Sequence, residues 1–189
     1  MTTSLRWTSS DLKALPYEEG TRYEIIDGRL YVAKQPHYHH QYACNEIACQ
    51  LSSWSKQTGA GRVIPAPGVI FSDDNGVAPD VVWLSNERLA EALQKDGHFH
   101  AAPELIIEVL SQGFANEQRD RVAKLQLYSR RGVDEYWIIS WRSRTVEVYR
   151  REDAGLQLLG TLKGSDTLQT PLLPGFSSLV RTLFDTVSP

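Results

Sequence analysis

The run Glu104-Leu105-Ile106-Ile107-Glu108-Val109-Leu110 carries apolar side chains at odd and even positions alike. Successive strand residues point to opposite faces, so this pattern predicts a central strand covered on both sides rather than a sheet with one wet face. Covering both faces takes two further layers, and 189 residues with 41% apolar content can supply them. A helix is predicted over 116–131, closed by Gly132 at a position where glycine readily adopts the left-handed conformation. Tyr136-Trp137-Ile138-Ile139 and Val146-Glu147-Val148-Tyr149 read as the next strands. Strand, helix and strand across 104–140 predict a parallel crossover unit.

The N-terminal half pairs differently. Tyr23-Glu24-Ile25-Ile26 and Arg29-Leu30-Tyr31-Val32 flank Asp27-Gly28, a strong signal for an antiparallel hairpin. Thr8-Ser9-Ser10-Asp11 predicts a short capped helix stopped by Pro16. Ala43, Ile47, Leu51 and Trp54 recur at helical spacing over about 40–54, with Gly59 and Gly61 closing that helix. Strands are expected over 62–71 and 77–84, a weaker helix over 86–94, and a final packing helix after Leu173-Pro174-Gly175-Phe176. The fold class is α/β with a mixed β-sheet flanked by helices and an N-terminal antiparallel hairpin, in one domain over 1–189. No apolar run approaches the ~20 residues of a membrane span, the first dozen residues lack the apolar core of a signal peptide, and Cys44 and Cys49 read as ordinary thiols. A cytoplasmic protein is expected.

Three carboxylates stand where apolar residues belong. Glu108 interrupts the doubly covered strand, Asp80 follows Pro79 at the head of Val81-Val82-Trp83-Leu84, and Glu24 lies inside the hairpin. An unpaired buried carboxylate costs several kcal/mol. Each of the three needs a cation, a proton or a wet strand end. Acids on adjacent strands can converge on a hard cation such as Mg²⁺; singly, each reads more readily as an edge residue or half of an ion pair. In the 116–131 helix, Gln118, Arg119, Gln126, Ser129 and Arg130 fall on one side, while Lys124 lies within the apolar arc of Ala123, Leu125, Leu127 and Tyr128. Lys124 either folds back over the Glu108 strand or pairs locally with Asp120 one turn earlier.

A net charge of −3 excludes a basic coat over the whole surface. Residues 116–151 nevertheless hold nine Lys or Arg against five Asp or Glu, leaving the remainder at −7. That asymmetry suits a phosphate-facing side and solvated faces alike. His37, His39, His40, His98 and His100 have no cysteines at zinc-finger spacing, so a zinc site is not expected.

The order Pro79-Asp80, Glu108 in a buried strand and a nearby lysine resembles the PD-(D/E)XK nuclease superfamily, although Leu110 stands where the common pattern has its lysine. Lysine moved to the following helix is a variant of that superfamily, and Lys124 would fill the role. More specifically, the chain resembles the Uma-two family of restriction-endonuclease-like proteins. The matching stretches are Tyr23 to Gly28, Pro36 with His40-Gln41, Pro79 to Val82, Ala102 to Ser111, Asp120, Lys124, Tyr128, Gly132-Val133, Glu135 to Ile138 and Leu173 to Phe176. Gln112 and Ser140-Trp141 depart from the family pattern. The resemblance implies a restriction-endonuclease-like core and hydrolysis of DNA phosphodiester bonds by a water activated on Mg²⁺, with Mn²⁺ as substitute. Asp80 and Glu108 would bind the metal, Lys124 would position the water, and Glu24 would be an accessory acid. His40, Arg121 and Tyr128 are weaker candidates for substrate contact. A homodimer is expected. The alternative is a catalytically silent nuclease-fold protein that binds nucleic acid or a protein partner.

Overall fold

A computed structural model describes residues 5–16 and 18–184. In chain order they form helix α1 (Ser9–Ala14), strands β1 (Arg22–Ile26) and β2 (Arg29–Ala33), helix α2 (Tyr38–Thr58), strands β3 (Gly61–Pro65), β4 (Val69–Ser72), β5 (Asn75–Val77) and β6 (Val81–Ser85), helix α3 (Asn86–Ala92) and strand β7 (Leu105–Val109). Helix α4 (Phe114–Gln118), a π-helical segment (Arg119–Lys124) and helix α5 (Leu125–Arg131) follow, then strands β8 (Glu135–Ser140), β9 (Thr145–Glu152), β10 (Gly155–Lys163), β11 (Thr167–Leu168) and β12 (Ser178–Leu179), and a 3₁₀ turn (Val180–Leu183). Six strands form one sheet in the order β10-β9-β8-β7-β6-β3, and β7 is buried at all five positions inside it. Only β7 and β8 pair in parallel among these neighbours, as the strand–helix–strand reading requires.

Side-chain alternation sorts the core into two layers. Val81, Trp83, Leu105, Ile107, Val109, Trp137 and Ile139 face α2 and the C-terminal segment. Val82, Leu84, Ile106, Tyr136 and Ile138 face α5 and the second sheet, whose order is β2-β1-β5-β4. The β1–β2 turn places Asp27 at φ 52° and Gly28 at φ 74°, both positive as a two-residue hairpin turn demands.

Several predicted elements are interrupted, each for a local reason. The strand expected over 62–71 divides into β3 and β4 in separate sheets, with Ala66 at φ 49° at the break. The strand expected over 77–84 divides around Ala78-Pro79-Asp80, because proline has no N–H to donate to a ladder. Asp80 therefore lies ahead of β6, not within a strand. Among the described residues, 173–184 form no α-helix: β12 pairs with β11, which leaves a 3₁₀ turn after it, although Val180, Leu183 and Phe184 pack into the core as expected. Strand β10, an edge strand with mostly exposed residues, has no counterpart in the sequence reading. Among the described residues no helix is long and apolar enough to cross a membrane.

Candidate active site

The break between the two sheets is where the acids meet. Strands β6 and β7 pair with Val81 opposite Ile107, and one further step sets Asp80 opposite Glu108 beyond the last pair. With no ladder partner there, the Val109 N–H donates to Asp80 Oδ2 at 2.9 Å. Glu24 reaches the same place from β1, where its Oε1 accepts the Ala78 N–H at 2.8 Å.

Lys124 closes the group. Its Nζ stands 2.9 Å from both Glu24 Oε1 and Glu108 Oε1, and 3.8 Å from Asp120 Oδ1, with the side chain 1% exposed. The π-helical turn makes this possible. Bonding from i to i+5 brings residues five apart onto one face, so Arg119, Asp120 and Lys124 are buried together. A regular α-helix leaves Arg119 on the polar side, which is where the sequence reading sets it; the extra residue in the turn moves it inward. Arg119 Nε then lies 2.8 Å from Asp120 Oδ1 and 3.8 Å from Glu24 Oε2.

His40, in the first turn of α2, sets Nε2 3.3 Å from Asp80 Oδ2 and Nδ1 3.5 Å from the Cys44 Sγ. Arg22 Nη1 reaches Asp80 Oδ1 at 3.5 Å from the more exposed side. Arg22, Glu24, His40, Asp80, Glu108, Arg119 and Lys124 line a cleft of 270 Å³, whose walls also include Thr21, Lys34, Gln41 and Ser111.

The charges do not balance. Glu24, Asp80, Glu108 and Asp120 supply four carboxylates, against Lys124 and Arg119 as the deeply buried cations. Burial above all pushes the Glu108 carboxyl up to about 8, and Asp80, Asp120 and Glu24 add to that against the pull of Lys124. Burial likewise raises Asp120, over the opposition of Lys124 and Arg119. Asp80 behaves otherwise. Burial pushes it up, but the His40 hydrogen bond and charge, Lys124 and the Val109 amide outweigh burial and hold it below the usual carboxylate range. For Lys124 burial favours the neutral amine, yet Glu108, Glu24 and Asp120 prevail and keep it an ammonium. With all four ionised, the carboxylates exceed these two cations by two charges, and the hard oxygen donors at Asp80 and Glu108 fit a divalent cation such as Mg²⁺ once Glu108 has lost its proton.

Of the predicted site residues, Asp80, Glu108, Lys124, Glu24 and His40 line the one cleft. Two do not. Arg121 turns away to pair with Glu147 and lies 3.8 Å from Glu117, lining a neighbouring groove that shares only Ser111 with the cleft. Tyr128 is fully buried, so its expected substrate contact gives way to support: its hydroxyl donates to Glu108 Oε1 at 2.9 Å. Tyr128→Phe is expected to cost about 1.5–3 kcal/mol above pH 8, where Glu108 is ionised, and less at acid pH; urea unfolding at both pH values checks it. Arg119, Arg22 and Cys44 join the site without having been singled out. Cys44 was findable, four residues after His40 on a predicted helix and so on the same face. Arg119 was not, since nothing in its neighbourhood signals the π turn.

The Uma2 family, described as "Putative restriction endonuclease", matches residues 9–183. A crystal structure from Anabaena variabilis, described as "a putative nuclease belonging to DUF820", superposes with a TM-score of 0.75 at 20% identity, covering 94% of this chain and 97% of that one. At that identity the likeness is one of fold. No curated protein matches the chain.

Proposed function

Since the chain belongs to the Uma2 family of restriction-endonuclease-like proteins, we propose that it is a nuclease that hydrolyses DNA phosphodiester bonds with the help of Mg²⁺. The observation that carries this reading is the meeting of Asp80, Glu108 and Lys124 at one cleft, reached from a strand break, a buried strand and a π-helical turn. Asp80 and Glu108 would hold the cation, which supplies Lewis-acid stabilisation of phosphate charge and a lowered pKa for water.

The chain's own groups do the rest. The Val109 amide and His40 fix the Asp80 carboxylate in place. Tyr128 and Lys124 fix Glu108 through its Oε1. Lys124, held by Glu24 on its other side, presents an ammonium to an attacking water or to the charge that builds on phosphorus. Arg22 and Lys34 stand at the walls of the cleft, where they would meet the phosphate backbone. The water oxygen joins phosphorus as the opposite phosphorus–oxygen bond breaks, and the departing oxygen takes up a proton.

A second reading, a nuclease-fold protein that binds nucleic acid or a protein partner without cutting, draws on one observation. Lys124 is already engaged by two carboxylates at 2.9 Å, as in a purely structural ion cluster. Cleavage of supercoiled plasmid and single-stranded DNA with Mg²⁺ or Mn²⁺ separates the two. Wild type is expected to cut, and Asp80→Asn to lose at least about 100-fold in rate. Cleavage untouched by Asp80→Asn would remove the site from the reaction. A folded wild type that cuts neither substrate with either ion would leave the binding reading.

A further inference from the structure

We propose that the cleft also takes a thiophilic divalent metal, of which Zn²⁺ is the type, on His40, Cys44 and Asp80, in competition with Mg²⁺ for Asp80. The binding half of this proposal is independent of nuclease activity; only the competition rests on the function proposed above.

Three donors of different chemistry converge here. One ligand atom each from His40, Cys44 and Asp80 lie within 4.8 Å of one another. Two come from successive turns of α2, four residues apart, which α-helical geometry places side by side. The third is fixed from across the cleft by the Val109 amide. Each gap taken singly is one an ion can bridge: His40 Nε2 stands 3.3 Å from Asp80 Oδ2, and Nδ1 of the same ring stands 3.5 Å from the Cys44 Sγ. Bonds of about 2.0–2.3 Å to nitrogen, oxygen and sulfur at tetrahedral angles span such gaps. An ion takes one imidazole nitrogen, so binding includes a rotation of the ring or of the Cys44 side chain to bring the third donor round.

The donor set chooses the metal. Thiolate and imidazole select Zn²⁺ and its neighbours in the first transition row, whereas Mg²⁺ takes oxygen. His40 and Asp80 line the cleft, His40 is 4% exposed, and Cys44 is half-buried behind His40, so the donors are withdrawn from the open surface. The field there has the right sign as well. Asp80 attracts a dication, as does Glu108 once ionised, and the bound metal has to displace the proton that burial and these two acids hold on the Cys44 thiol. On binding, the thiol proton leaves to solvent as the sulfur–metal bond forms, with no change of oxidation state.

Cobalt(II) is the probe, because thiolate ligation gives an intense charge-transfer absorption band in the near ultraviolet. Titrating the intact protein with Co²⁺ is expected to raise that band to a one-to-one end point, and Zn²⁺ is expected to abolish it. Cys44→Ser should remove the band and Cys49→Ser should retain it. Asp80→Asn should weaken Co²⁺ binding at least about tenfold. Circular dichroism and thermal unfolding of each variant confirm that it is folded. No band in the wild type, or a band that survives Cys44→Ser, overturns the site. Excess Mg²⁺ should weaken Co²⁺ binding; a Co²⁺ affinity indifferent to Mg²⁺ overturns the sharing of Asp80. These readouts hold whether or not the protein cuts DNA.

Discussion

Lys124→Met is expected to cost about 3–5 kcal/mol of stability at pH 8 and much less near pH 5. Methionine fills similar space, so the loss is one of charge. Glu24 and Glu108 each lie 2.9 Å from the same Nζ, and without it two buried carboxylates confront each other with Asp120 close by. Wild-type Glu108 already titrates near 8, with Lys124 the chief influence opposing that rise. Its removal drives the folded-state value higher still. A carboxyl whose folded pKa exceeds its unfolded value favours folding below the unfolded value, and that contribution disappears as pH climbs through the folded one. The variant should therefore approach wild-type stability in acid and fall away from it above neutrality. Urea unfolding at pH 5 and pH 8 reads the difference directly. Glu24→Gln in the same chain should recover much of the loss at pH 8, since one of the confronting charges has gone. An equal deficit at both pH values would mean that Lys124 acts by packing, and the electrostatic account of the site would fail with it.

The legible and illegible parts of this site divide along a physical line. Glu108 announces itself because a charge within a doubly apolar strand violates burial on both faces, and the violation is local. Asp80 is visible through Pro79, which marks where the ladder must stop. Lys124 stands out only by the phase of a helix, and that phase was right for it and wrong for Arg119. The π turn is the reason: it inserts a residue into the repeat without any Gly, Pro or other signal in Arg119-Asp120-Arg121-Val122-Ala123-Lys124. The same blindness affects Arg121 and Tyr128. Whether a side chain on the inner part of a helix supports a carboxylate or meets a substrate depends on depth, and depth is a tertiary quantity. In the fold, the hairpin, α2 and the parallel β7–β8 pair follow from turn chemistry and apolar periodicity. Division of the 62–71 and 77–84 runs between two sheets does not, because a strand that changes sheet keeps its β propensity on either side of the break. Edge strand β10 is illegible for the opposite reason: with few buried positions, it has little pattern to show.

Divalent-cation affinity should rise about tenfold per pH unit between about pH 6 and pH 8, and level off above. On the function proposed here, Asp80 and Glu108 bind the ion as carboxylates. Asp80 sits below the usual range and is ionised throughout that interval. Glu108 titrates at about 8, so below that pH its proton must leave before the ion binds. Isothermal titration with Mn²⁺ in buffers of different ionisation heat should count one proton released at pH 6.5 (about a full equivalent) and almost none at pH 9. Glu108→Gln should bind more weakly and show a flat profile across the interval. The thermal consequence has its own sign. Ionising Glu108 destabilises the metal-free protein as pH passes from the ordinary value of 4.5 through about 8, whereas bound cation stabilises most where that carboxylate is already charged. The rise in Tm produced by saturating Mg²⁺ should thus grow with pH and reach its plateau above pH 8. A rise that shrinks with pH, or proton release unchanged by Glu108→Gln, would show that Glu108 is not a ligand. Its proton would then be a permanent part of the ion cluster, held against Lys124 and Tyr128, and the cation would have to sit elsewhere.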